Sequence, residues 1–98
     1  MNHTVEYKII ASATATINTI THTNNHGDVT TLTDVSSKTW SSGKMNVSSS
    51  VGVLSVGANG ISTSPEGTLT VQIYVDGELQ KENIAEGTIL STSTTYQF

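Results

Sequence analysis

One stretch constrains what this chain can fold into more than any other: Thr-Leu-Thr-Val-Gln-Ile-Tyr-Val-Asp-Gly-Glu-Leu-Gln-Lys-Glu at residues 68–82. Apolar and polar residues alternate as far as Asp76-Gly77, and a second amphipathic run leads away. Alternation gives an extended strand one buried face and one wet face, and Asp-Gly suits a turn that needs positive φ, so the stretch predicts a β-hairpin. Register decides which side chains meet. A two-residue Asp76-Gly77 loop would pair Val75 with Glu78 and Ile73 with Gln80, mixing apolar and polar partners on one face. A three-residue loop over Val75-Asp76-Gly77, with Gly77 as a left-handed bulge, pairs Ile73 with Leu79 and Gln72 with Gln80. The longer loop is the expectation, and it makes Ile73 and Leu79 a core pair. Val71 then stands opposite Lys81, whose stem must cover it while the ammonium reaches water. Tyr74 has the opposite parity to Ile73 and is expected to face solvent or a partner.

The rest of the chain reads in the same way. Residues 4–11 alternate, with Val5, Tyr7, Ile9 and Ala11 on one side and Ile10 breaking the pattern. His3 is terminal and expected to fray. In the Thr-rich run 13–23, Ala13, Ala15 and Ile17 share a face before the phase shifts at Ile20, which predicts a bulge near Asn18-Thr19. Residues 24–28, Asn-Asn-His-Gly-Asp, read as a turn, so 29–35 return antiparallel as the second arm of a hairpin. Residues 36–44 read as a connection carrying the only tryptophan, Trp40. Residues 45–56 form one bent strand or two short ones. Residues 57–67 are the longest loop candidate, with Pro65 unsuited to a central strand. Residues 88–98 close the chain, with Leu90, Tyr96 and Phe98 on one parity. No segment keeps helical spacing beyond a turn; residues 78–86 come nearest, without a cap. About seven short strands predict an all-β fold, an Ig-like or transthyretin-like antiparallel β-sandwich, in a single domain over residues 1–98.

Composition narrows the classes of function. Apolar residues make up 35% of the chain, so the core should be thin and spread along strands. Thr and Ser number 17 and 13, which suits strands with a neutral polar skin. The net charge is −4, with four lysines and no arginine. Nucleic acid is disfavoured, because phosphate neutralisation needs a basic patch, and an anionic membrane surface is disfavoured for the same reason. The absence of cysteine removes disulfides, zinc–thiolate sites and thiol catalysis. No apolar run approaches the roughly 20 residues that cross a bilayer, and no charged-then-apolar leader opens the chain. A mildly acidic, Ser/Thr-covered surface leans toward an extracytoplasmic location: periplasm, cell surface or virion.

Candidate chemistry is sparse. His22, His26 and Asp28 flank one turn and offer imidazole and carboxylate donors, but nothing completes a metal shell, so no metal or cofactor is expected. Ser-His-Asp combinations can be drawn anywhere in so Ser-rich a chain, and no Gly-x-Ser-x-Gly elbow singles one out. The acids Glu66, Asp76, Glu78, Glu82 and Glu86 fall at turns or outward positions, where solvation is their role. The expectation is that the chain is not an enzyme. Thr-x-Thr pairs such as Thr19/Thr21/Thr23 could order water in ranks, but they lack the fixed repeat such arrays require. Trp40 is either a core plug or an exposed anchor, and together with Tyr74 it is the candidate for partner contact.

The order of elements resembles a known family. A Val-Glu-Tyr-Lys-Ile strand at 5–9, an Ala/Thr run ending in Thr-Asn-Asn-His-Gly at 23–27, a connection with Trp40, Val-Leu-Ser-Val at 53–56 and Leu-Thr-Val-Gln-Ile-Tyr-Val-Asp-Gly-Glu at 69–78 are similar to the soluble domain of the MmpS-like small membrane proteins. Mycobacterial members are anchored by one N-terminal helix and act as accessory partners of RND-type lipid and siderophore exporters. The present chain lacks that anchor, which means either that the helix was removed or that the relative is distant and without the transport role. The resemblance transfers no catalytic residue. It implies a non-enzymatic extracytoplasmic accessory or binding domain, a partner of a membrane transport or envelope complex, working with a protein partner through a sheet face or an edge strand. Edge-strand pairing would also allow a homo-oligomer. The alternative is a structural or adhesive module of a cell-surface or phage particle.

Overall fold

A computed structural model describes all 98 residues and shows nine strands and one 3-10 turn, without an α-helix. The strands are β1 (Asn2–Ala11), β2 (Ala15–Thr23), β3 (Val29–Leu32), β4 (Thr39–Ser41), β5 (Met45–Ser48), β6 (Val53–Ser62), β7 (Thr68–Val75), β8 (Glu78–Glu86) and β9 (Ile89–Gln97). Two antiparallel sheets pack as a β-sandwich. Sheet A has the order β4-β1-β7-β8, with β5 also on β1, and sheet B the order β3-β2-β6-β9.

The alternation in β1 and β7 sets the core. Val5, Tyr7, Ile9 and Ala11 stand opposite Val75, Ile73, Val71 and Leu69, and all eight are buried. Sheet B answers with Ala15, Ile17, Ile20, Leu54, Val56, Ala58 and Leu90, and β5 adds Val47. Burying a Val, Leu or Ile side chain fully is worth roughly 1.5–3 kcal/mol. The far edge of β1 is shared: β5 pairs with its first half and β4 with its second. Between them Ser42 replaces the ladder. Its hydroxyl accepts the Tyr7 N–H at 2.9 Å, and its own N–H donates to the Tyr7 carbonyl at 3.1 Å.

Several expected features are present. The register of β2 on β6 shifts between Ile17 and Thr19, the position of the anticipated bulge. The Asn24 side-chain oxygen accepts the N–H groups of His26 (2.9 Å) and Asp28 (3.0 Å), closing the β2–β3 hairpin. Other expectations are corrected, and the strand count rises from about seven to nine. The connection at 36–44 contains β4. Of the two readings of residues 45–56, the two-strand one holds: β5 and the start of β6 are separated by a 3-10 turn at Ser49–Val51 capped by the Ser48 hydroxyl. Residues 57–62, read as loop, are the second half of β6. Gly60 is required there because a Cβ would run into the Thr16 carbonyl oxygen of the neighbouring strand. His3 does not fray: it lies in β1, its Nδ1 is 2.7 Å from Asp76 Oδ2, and its ring stacks on Phe98 with centroids 5.0 Å apart. That bond, with the Thr4 N–H, holds the Asp76 carboxyl below its usual range.

The β7–β8 hairpin departs from the expected register. Asp76 (φ 53°) and Gly77 (φ 83°) both take positive φ and form a two-residue turn, with Val75 opposite Glu78 and Tyr74 opposite Leu79. Such a turn matches the right-handed twist of its strands. The phase conflict is relieved after the turn instead of within it: Gln80 is bulged out, and Ile73 faces Lys81. Ile73 and Leu79 are therefore not a core pair. Ile73 is fully buried, whereas Leu79 is 45% exposed on the outer face beside Tyr74.

Ile73→Asp is expected to unfold the protein by placing a carboxylate among apolar neighbours, while Tyr74→Ala leaves it folded at a cost of about 1 kcal/mol. Equal thermal midpoints for Ile73→Asp and the parent would contradict this core assignment. A second expectation concerns Tyr7, whose buried hydroxyl donates to the Thr23 carbonyl at 2.8 Å. Burial pushes its phenol from 10.0 up to about 12. The folded state keeps the proton that the unfolded chain releases, so this stabilisation is complete below pH 10.0 and is lost as pH rises toward about 12. Denaturant titrations across that window should show the decline. Tyr7→Phe should flatten it while costing about 0.5–1.5 kcal/mol, because the Thr23 carbonyl loses this bond and keeps only His22 Nδ1, 3.3 Å away.

Candidate functional site

The outward residues of β1, β7 and β8 form rows across sheet A: Glu6, Tyr74 and Leu79; Lys8, Gln72 and Glu82; Ile10, Thr70 and Ile84. Parity on β7 alone sends Tyr74 outward. Its half-buried ring lies under the Lys8 ammonium, 4.7 Å from Nζ to the ring centre, an attraction of about 0.5–1 kcal/mol at such a site. The Tyr74 hydroxyl donates to Gln72 Oε1 at 3.4 Å, and Gln72 Nε2 donates to Glu82 Oε2 at 2.7 Å. The Ser41 hydroxyl donates to Glu6 Oε2, also at 2.7 Å. Thr4, Glu6, Lys8, Lys44, Tyr74 and Gly77 line a hollow of about 220 Å³. Two of the four lysines thus meet one carboxylate and one aromatic ring. The arrangement can hold a polar or acidic group against an aromatic surface.

Trp40 is not part of this face. It sits on β4 opposite the buried Ile9, half-buried and packed against the core. Its ring centre lies 5.3 Å from that of His22, which lies 5.4 Å from that of Tyr7. This stack joins β1, β2 and β4. Tyr74 and Trp40, paired as contact candidates by their residue type, therefore occupy opposite sides of sheet A. His22 is only 9% exposed and turned inward. No three His, Asp or Glu side chains stand close enough together to hold a metal ion. The stack went unread in the sequence because His22 resembled a turn-flanking residue, although its parity with Ile20 across Thr21 could have placed it inside.

Sheet B has a different surface. None of its strands carries Asp, Glu or Lys. Thr21, Gly57 and Ser93 form one outward row and Thr19, Asn59 and Ser91 the next. With Asn83 of β8 they surround a hollow of about 370 Å³. Asn83 Nδ2 donates to the Ser93 carbonyl at 3.0 Å. The Thr-x-Thr pairs of β2 face Gly and Asn on β6, so no repeating threonine rank crosses the sheet.

No protein-family model matches the sequence, and no curated protein is significantly similar to it. No helix is long and apolar enough to cross a membrane.

Trp40→Ala should destabilise the fold by about 2–4 kcal/mol, somewhat less than loss of a fully buried ring, since Trp40 covers the core and stacks on His22. Chemical denaturation measures this directly, and a change below about 0.5 kcal/mol would return Trp40 to the role of an exposed anchor.

Proposed function

We propose that the chain is a non-enzymatic binding domain that works outside the cytoplasm as an accessory partner of a membrane transport or envelope complex. The observation that carries the binding role is Tyr74, displayed on sheet A under the Lys8 ammonium at the rim of the hollow it shares with Glu6 and Lys44. A tyrosine already held in place loses little freedom on contact and offers both apolar area and a hydroxyl. The charges around it orient a protein partner and speed its encounter. The resemblance to the MmpS-like soluble domain supports the transport or envelope context, and the Ser/Thr-rich skin supports the extracytoplasmic one.

A second reading has its own support. The uncharged hydroxyl surface of sheet B can lie against like surfaces without an ionic penalty, which favours a structural or adhesive module of a cell-surface or phage particle.

A photo-crosslinking residue placed at Tyr74 in the native host separates the two. The accessory reading expects one dominant adduct with a membrane-associated protein, reduced by Lys8→Glu. Adducts with copies of this chain or with particle subunits would favour the module. Crosslinks from Ser91 but none from Tyr74 would remove the sheet A face from consideration.

A further inference from the structure

The edges of the two sheets are not alike. β3, β4 and β5 are three or four residues long; β9 is nine residues long and carries no charge, and the Asn83 side chain takes its Ser93 carbonyl. β8 is nine residues long, eight of them exposed, and no strand follows it in sheet A. Its free backbone groups can be assigned from the ladder. Gly87 N–H donates to the Gly67 carbonyl at 2.9 Å. Hydrogen-bonded and non-hydrogen-bonded pairs alternate in an antiparallel ladder, so Ala85, Asn83 and Lys81 bond to Leu69, Val71 and Ile73. The N–H and C=O groups of Glu82, Ile84 and Glu86 therefore point away from β7, off the open edge.

The same three residues project their side chains onto the outer face, with Ile84 55% exposed between two carboxylates. A second copy does not satisfy this edge. Antiparallel self-pairing about Glu82 sets Glu82 against itself, and pairing about Ile84 sets Glu82 against Glu86, like charges directly opposed. Pairing about Asn83 sets each Glu82 against Ile84. A strand with basic residues on either side of an apolar one complements all three positions.

We propose that β8 is a docking edge for an extended segment of a partner protein. The segment adds to sheet A as a further strand, with basic residues opposite Glu82 and Glu86 and an apolar residue opposite Ile84. Backbone bonds supply the affinity and the three side chains the selection, as in other cases of strand addition. This inference goes beyond the reading of the Tyr74 face and does not depend on it.

Two synthetic nine-residue peptides test it, one with alternating threonines around a Lys-x-Val-x-Lys centre and one with Glu-x-Val-x-Glu. Fluorescence anisotropy at low salt should show the basic peptide binding about tenfold tighter or more. Hydrogen exchange should show new protection at the Glu82, Ile84 and Glu86 amides. Ile84→Pro removes an outward N–H and no bond to β7, a change edge strands accept, and should abolish binding with an unchanged circular dichroism spectrum. Glu82→Lys with Glu86→Lys should reverse the preference toward the acidic peptide, and this decides the matter if the proline variant does not fold. The proposal is overturned by equal binding of the two peptides, by binding of neither, or by binding that survives Ile84→Pro in the folded protein. Protection confined to other amides, or a dimer of this chain that Ile84→Pro dissolves, would overturn it as well.

Discussion

The ladder between β1 and β7 is the contact on which the rest of the sandwich depends. It joins the first strand to the seventh and aligns four buried residues of one with four of the other on a single inner face. β4 and β5 attach to the free side of β1, β8 attaches to the free side of β7, and sheet B has no apolar surface to cover without that face. Such a pairing closes a loop of most of the chain before its burial is realised. Ordering the backbone costs about 1–2 kcal/mol per residue, so apolar contact must accumulate across the whole ladder before it prevails. Folding rates of domains dominated by non-local pairing are low for this reason.

How much of this was legible depends on whether a strand has one wet face. β1 and β7 do: alternation places Val5, Tyr7, Ile9, Ala11 and Ile73 inside, although Val75, expected in the loop, is the last buried residue of β7. The bulge in β2 and the Asn24 turn were equally readable, since each leaves a local mark: a change of phase in one case, turn residues between strand formers in the other. β8 leaves no such mark, because both of its faces meet solvent and its alternation sorts nothing. That is why alternation does not fix the register past Asp76-Gly77, and why Leu79 lies outside the core that its spacing predicts. β4 was missed because three residues around Trp40 have no period. The second half of β6 was missed because Gly57, Asn59 and Gly60 are turn formers by composition. Gly60 is there for a non-local reason, the approach of the Thr16 carbonyl at the bulge.

The candidate surface followed the same rule. Parity alone sent Tyr74 outward, but the company it keeps, Lys8 across the ladder and Lys44 from the loop before β5, depends on pairings between distant segments. Trp40 and His22 were read separately and proved to be neighbours. The open edge of β8 is the extreme case: which backbone groups are left free is fixed by the phase of hydrogen bonding to β7, a quantity that no residue type encodes.

The distribution of charge has a further consequence. Strands of sheet B carry no Asp, Glu or Lys, so the ionic groups belong to sheet A and to the loops. Solvent ions screen exposed charges over about 8 Å at physiological ionic strength. The two sides therefore differ in how they respond to their surroundings. Near a charged body the molecule turns sheet A toward or away from it, while the hydroxyl side remains indifferent. Added salt weakens contacts made through sheet A and spares those made through sheet B. An orientation preference of this kind arises before any specific contact forms, and ionic strength alone can adjust it.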